Sequence, residues 1–354
     1  MSLNFSVRVA LTLCLAGLAA SLCVWLGTPL PWMIGPLLAT ALASVLRAPT
    51  ASATPLRNAA QATIGLALGL YFTPQVTALV ASLWWAIALG ILWALALGAL
   101  FGAWLQRQHA HRLPGLTRAT TWFAGAIGGA SEMTLLAERA QGRADLVAAA
   151  HSLRLLLVTV LVPFAMQLSG LHGLDVLAAA PAGEAQTSSL VMLGLAACAG
   201  AWVMQRLDRA NPWFMGALLV AMGLTMSGAV LSALPKGLTN AAQLLIGVSL
   251  GVRFNQAFVH SAPRWLASVA WGTLVMLVLC AGFAAGLAYL TGLPAATLVL
   301  ATSPGGIAEM SITAKVLQLG APVVTAFQVC RLMAVLLLLE PWYRWHCRHS
   351  RHKG

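Results

Sequence analysis

Charge is what this sequence has least of: Asp, Glu, Lys and Arg make up 8% of its 354 residues, against about 25% in ordinary globular chains. A soluble enzyme or a disordered tail is excluded, because a chain that is 60% hydrophobic could not keep so much apolar surface from water. The six cysteines form no C-x-x-C pair. Cys14, Cys23, Cys198, Cys280 and Cys330 lie inside apolar stretches and Cys347 in a basic tail, so free thiols are expected rather than disulfides or a zinc site. No dinucleotide fingerprint is present, nor a His/Glu ligand cluster within the apolar runs, so neither a cofactor nor a metal is expected, and no enzymatic activity. The histidines, His109 and His111 and then His346, His349 and His352, sit in basic segments and read as solvated flanks of the spans. Stretches outside the apolar runs reach only about twenty residues, too short for a helix-turn-helix domain. The net charge of +12 therefore points to membrane orientation and anionic lipid, and nucleic acid is not an expected direct partner.

What is present is a series of apolar spans. Five fall near 7–26, 30–46, 57–72, 77–105 and 146–168, and five more near 188–205, 212–231, 239–253, 265–290 and 322–343. The first is long and another follows almost at once, which suits an uncleaved signal anchor better than a processed leader. Two further segments, 119–137 and 296–314, are interrupted by Gly125, Gly128 and Gly129 and by Pro304, Gly305 and Gly306, with one glutamate in each. Such a segment either spans or dips in and returns.

Three blocks of the first half recur in the second in the same order. PWMIGPLL at 31–38 matches PWFMGALL at 212–219, NAAQATIGLALG from Asn58 matches NAAQLLIGVSLG from Asn240, and GGASEM from Gly128 matches GGIAEM from Gly305. The chain is an internal duplication, with repeats at 1–169 and 188–354 and a linker at 170–187 that holds no Lys or Arg. Loop charge decides how the halves are oriented. If the two glycine-broken segments re-enter, sixteen of the twenty Lys and Arg fall on the cytoplasmic side, Lys236 and Lys315 fall outside, and Arg154 and Arg331 lie within spans. If both segments cross, the division is eleven against seven. The positive-inside rule favours the first arrangement. The expected fold is an all-α polytopic membrane protein, two inverted repeats of about five transmembrane helices plus one re-entrant or broken segment each. Both termini are then cytoplasmic and the linker lies on the opposite, periplasmic side.

Inverted repeats with interrupted helices near the midplane are how many secondary transporters are built. Broken backbone is tolerated at that depth only where protein or a water-filled cavity satisfies it, so Gly128, Gly129, Gly305 and Gly306 should face a cavity. Glu132 and Glu309 lie beside these breaks, and Arg154 and Arg331 each follow their glutamate by 22 residues. A buried Glu–Arg pair in each repeat is therefore expected, and two roles are open to it: mutual neutralisation that fixes register, or binding of a substrate or ion. Asn58 and Gln61, with Asn240 and Gln243, put a second polar pair on one helix face of each repeat; they complete the cavity or bond between helices. The GxxxG spacings Gly65/Gly69 and Gly247/Gly251 read as close helix packing. Pro31-Trp32 and Pro212-Trp213 read as helix starts anchored at the headgroups.

The duplicated PW-x-x-G-x-LL, NAAQ-x-x-IG and GG-x-x-EM blocks resemble the bacterial membrane AbrB-duplication family, whose members are labelled AbrB family transcriptional regulators or ammonia monooxygenases. The resemblance covers nearly the whole chain. It implies an inner-membrane protein and, from the best-known relative, a part in regulating expression of another gene; it assigns no binding or catalytic residue. The repeat plan is similar also to the wider superfamily of cation antiporters and anion transporters, an analogy of fold alone. Two functions are expected to compete: an ion-coupled secondary transporter of a small metabolite, or a membrane regulator acting indirectly through a ligand or partner. Arg154 and Arg331 would suit an anion if the glutamates leave them free. The lipid bilayer and a small molecule or ion are the expected partners, and self-association is left open.

Overall fold

A computed structural model describes residues 4–111, 113, 115–171, 187–227, 233–254 and 262–351. Most of the linker, 172–186, therefore lies outside the described residues, as do the side chains of Cys347 and His349 and the whole of His352. The described residues are helical throughout, with no strand among them. In chain order the helices are α1 (Phe5–Trp25), α2 (Pro31–Val45), α3 (Thr54–Gly69), α4 (Pro74–Ser82), α5 (Trp84–His109), α6 (Arg118–Gly125), α7 (Ala130–Arg139) and α8 (Ala144–Ser169). The second half holds α9 (Thr187–Arg206), α10 (Pro212–Met226), α11 (Lys236–Gly251), α12 (Pro263–Thr291), α13 (Ala295–Thr302), α14 (Ile307–Val316) and α15 (Ala321–Arg351).

Starts and stops follow local chemistry. Proline occupies the first turn of α2, α3, α4, α10 and α12, where its missing N–H costs nothing. The hydroxyls of Thr73 and Thr117 accept from Val76 N and Thr120 N at the starts of α4 and α6. Gly170 and Gly292 end α8 and α12 in the left-handed conformation. Non-glycine residues in that region recur at matching places in both halves: Leu30 with Asn211, and Gln141 with Gln318. Gly27 is likewise matched by Asp208. The duplication thus extends to backbone turns.

Six helices, α1, α5, α8, α9, α12 and α15, are long and apolar enough to cross a membrane. Their outer faces carry exposed large apolar side chains such as Leu18, Leu195 and Val278, the surface that lipid covers. Four of the ten expected spans are instead short helices of 15 or 16 residues, about 22–24 Å at 1.5 Å per residue. The expected span 77–105 also divides, because α4 ends at Ser82 and α5 starts afresh at Trp84; ahead of it the chain bends by 88° between α3 and α4. His109 is a second correction. It is buried, its Nε2 sits 2.9 Å from Ser268 Oγ and its ring meets Trp265 edge-on. The last turn of α5 runs against the start of α12 there, not into solvent.

The short helices form the centre by reciprocal exchange. α3 of the first half packs on α10 of the second, and α11 of the second packs on α2 of the first. Small residues set the approach. A Cβ on Gly69 would stand 2.6 Å from Leu218 O, and one on Gly247 would stand 2.5 Å from Met33 O. The NAAQ-x-x-IG block of each half thus docks on the PW-x-x-G-x-LL block of the other. Around these crossings Met33, Leu37, Ile64, Leu68, Phe214, Leu218 and Ile246 make one core. Gly69→Val should therefore lower stability by about 1–3 kcal/mol through overpacking, whereas Gly282→Val, where a Cβ meets open space, should leave it unchanged. Thermal melting in detergent checks this; equal melting temperatures for the two variants would contradict the packing argument.

Candidate functional site

Each glycine-broken segment is a pair of short helices facing end to end across a gap. α6 stops at Gly125 and α7 begins at Ala130; α13 stops at Thr302 and α14 begins at Ile307. The first helix of each pair therefore presents unpaired carbonyls at the break, and the second presents unpaired N–H groups. These ends carry partial charges of opposite sign, and each has its own partner.

Arginine serves the carbonyl end. Arg154 on α8, 3% exposed, donates from Nη1 to Ala124 O (3.3 Å) and Gly125 O (3.4 Å) and from Nη2 to Ala126 O (2.6 Å). Its Nη2 also donates to His151 Nδ1 at 2.8 Å, while His151 Nε2 donates to Phe123 O at 2.9 Å. The second half repeats this with glutamine in place of histidine. Arg331 on α15 donates to Ser303 O (2.6 Å), Gly305 O (2.8 Å) and Gln328 Oε1 (2.6 Å), and Gln328 Nε2 donates to Leu300 O at 2.8 Å.

Glutamate serves the N–H end. Glu132 and Glu309 each lie in the first turn of the second helix, where a negative charge is favoured. The two glycines ahead of them make room. A Cβ on Gly129 or Gly306 would collide with the Oε2 of the glutamate three residues on. A Cβ on Gly128 would crowd Met133, and one on Gly305 would stand 2.7 Å from Met310 Cγ. This explains every fixed position of the GG-x-x-EM block.

The expected Glu–Arg pairs do not form. Among the described residues the ion pairs are Arg143–Asp145 and Arg344–Glu340; Arg154 and Arg331 are taken up by carbonyls, and the helix N-terminus already balances each glutamate. Neither glutamate is neutralised by a basic side chain at contact distance, though Glu309 is only 7% exposed.

Both glutamates line one cavity of about 120 Å³ between the halves. Gly128, Gly129, Gly305 and Gly306 line it as expected, and so does Arg331. Of the second polar set Gln61 reaches it, donating from Nε2 to Asn211 Oδ1 at 3.2 Å. Asn58, Asn240, Gln243 and Arg154 are not among its lining residues. The wall also holds Arg57, Arg253, Ser131, Asn211 and Ser249, which sequence reasoning left in loops or passed over. Arg253 lies within electrostatic reach of Arg57, Glu132 and Glu309. A signal for the two arginines existed: beside the duplicated blocks, in the same alignment, Arg57 stands where the other half has Thr239, and Arg253 where the other half has Tyr71. A larger groove between α5, α6 and α15, lined by Arg107, Arg118, Trp122 and Trp342, holds no carboxylate and none of the duplicated block residues.

Comparison with known proteins agrees with the blocks that carry this site. The chain is 28% identical over 355 residues to YhjN of Bacillus subtilis (strain 168), covering 92% of this chain and 90% of that protein. It is also 28% identical over 291 residues to "Putative regulator AbrB" of Escherichia coli (strain K12), covering 79% of each. No solved structure matches. The profile of the family described as "Transition state regulatory protein AbrB" matches residues 32–346, a range that takes in both copies of the glycine-broken helix pair and the cavity between them, and the chain belongs to that family.

Proposed function

We propose that this protein is an ion-coupled secondary transporter of a small metabolite, built from two inverted repeats in the bacterial inner membrane with both termini cytoplasmic. One observation carries the reading: two carboxylates from equivalent helix breaks in the two halves meet in one cavity, and neither is tied up in an ion pair. An ionisable group at membrane depth is retained where it binds or relays something. A proton or sodium ion taken up by Glu132 or Glu309 would change the charge of the cavity and hence its affinity for a solute, which is what coupling requires. The inverted arrangement is supported by the cavity wall, where the start of α3 (Arg57, Gln61) and the end of the equivalent helix α11 (Ser249, Arg253) lie together. That meeting suits helices that run in opposite directions.

The name of the Escherichia coli relative favours a second reading, a membrane regulator that senses a ligand without moving it. Purified protein in vesicles that trap a pH-sensitive dye separates the two. A panel of amino acids, sugars, amines, carboxylates and phosphates is added under an imposed pH gradient. Proton movement evoked by a member of the panel supports transport. Ligand-induced stabilisation of the protein without proton, sodium or solute flux would instead support the regulator.

A further inference from the structure

The duplication is an internal control for what the scaffold needs. Residues that build the fold occur twice: the paired glycines, and Arg154 and Arg331 with their carbonyls. Arg57 and Arg253 occur once each, since the opposite half manages with Thr239 and Tyr71 at those positions. The scaffold does not require them. Yet both reach the same cavity from different halves, and Arg253 lies within reach of the charge on Arg57. Like charges that share a confined space attract an anion, and with Arg331 the wall carries three guanidinium groups against the two carboxylates of Glu132 and Glu309.

Unsatisfied donors point the same way. The Nε of Arg57 and the Nε of Arg331 are buried with no hydrogen-bond acceptor, and Arg331 is only 5% exposed. A buried donor left without a partner costs free energy that an arriving acceptor recovers. Forked guanidinium groups match a carboxylate or a phosphate. Glu132 and Glu309 decide between them: in so small a cavity two carboxylates repel a dianion more strongly than a monoanion. Phe214, Ile246 and Leu250 supply an apolar side, and 120 Å³ approaches the roughly 150 Å³ that accommodates benzene.

We propose that Arg57 and Arg253 form the binding site for a short-chain monocarboxylate, its carboxylate between the two guanidinium groups and its hydrocarbon against Phe214 and Ile246. The assignment deepens the transport reading and rests on the same cavity, but it is a statement about binding that holds without flux. The full-length protein in detergent is titrated, in buffer alkaline enough that inorganic phosphate is the dianion, with propionate, and with propylamine and inorganic phosphate as cation and dianion of similar size, following thermal stability and heat of binding. Propionate should bind in preference to both. Arg57→Gln and Arg253→Gln should each weaken propionate binding by about tenfold, the loss of one charge-assisted contact, with melting temperatures of the ligand-free protein near wild type. Should either variant fail to fold, the order of the three probes on the unaltered protein still decides. Preference for propylamine or phosphate, no propionate binding, or unchanged affinity in both folded variants would overturn the site. Proton-coupled movement of some other solute together with absent propionate binding would remove this assignment and leave the transport reading standing. Propionate binding without any flux would do the reverse.

Discussion

Glu309→Gln is expected to reduce flux driven by a pH gradient to the level of protein-free vesicles while leaving the protein folded. Glutamine has nearly the same shape and still accepts from the backbone N–H of residue 309 as the carboxylate does, so the turn after Gly306 should persist. What it cannot do is take up and release a proton. Nor is a stabilising ion pair lost, because Glu309 makes none among the described residues; removing a charge from a site 7% exposed relieves a desolvation cost. Melting temperature should therefore stay level or rise as coupling disappears. That combination separates a working carboxylate from one that merely holds the fold. Glu132→Gln should behave alike, but less severely, since Glu132 is only half-buried. Normal coupling in both variants would refute the proposed role.

The opposite pattern is expected for Arg331→Met and Arg154→Met. Methionine fills much of the arginine volume but donates nothing, so Gly305 O and Gln328 Oε1, or the carbonyls of Ala124, Gly125 and Ala126, lose their donor, while Ser303 O keeps only Gln328 Nε2 at 3.3 Å. Each buried acceptor left unpaired costs about 1–3 kcal/mol. Two or three at one helix end should lower stability by roughly 3–5 kcal/mol, a large fraction of what a chain of ordinary stability has in total. Lysine at either position should recover only part of the loss, because one ammonium group cannot span carbonyls that a planar guanidinium reaches together. Size-exclusion profiles and melting curves check this. Well-folded Arg→Met variants would show that the helix ends find another donor.

The contrast bears on what the sequence made legible. The duplicated blocks, the helix breaks and the two glutamates were readable as pattern, and the cavity forms where the breaks were expected to face one. Partnership was not readable. The equal spacing of 22 residues between Glu132 and Arg154 and between Glu309 and Arg331 follows from duplication itself, so it could not testify to contact. Arginine went to the negative end of one half-helix and glutamate to the positive end of the other, and helix ends carry no letter in the sequence. Arg57 and Arg253 were hidden for another reason: counting charges to orient the spans placed them in loops, although they stand at the ends of α3 and α11 where these meet the cavity. Asking where the two copies differ, rather than where they agree, would have found both. The four short central helices stand where apolar runs were expected, and apolar composition alone does not distinguish a helix packed within protein from one that spans lipid.

The exchange of central helices also sets a timetable for biogenesis. The helices against which α3 mainly packs are α9, α10, α11, α14 and α15, all in the second half. A ribosome that has completed Gly69 must add 157 more residues before Met226 closes α10, about 8–30 s at bacterial elongation rates. Throughout that interval the glycine face of α3 has no proper neighbour, and the first half waits in the membrane as an unfinished partner. Insertion factors, or a second nascent copy, would meet this protein at its most vulnerable during that wait.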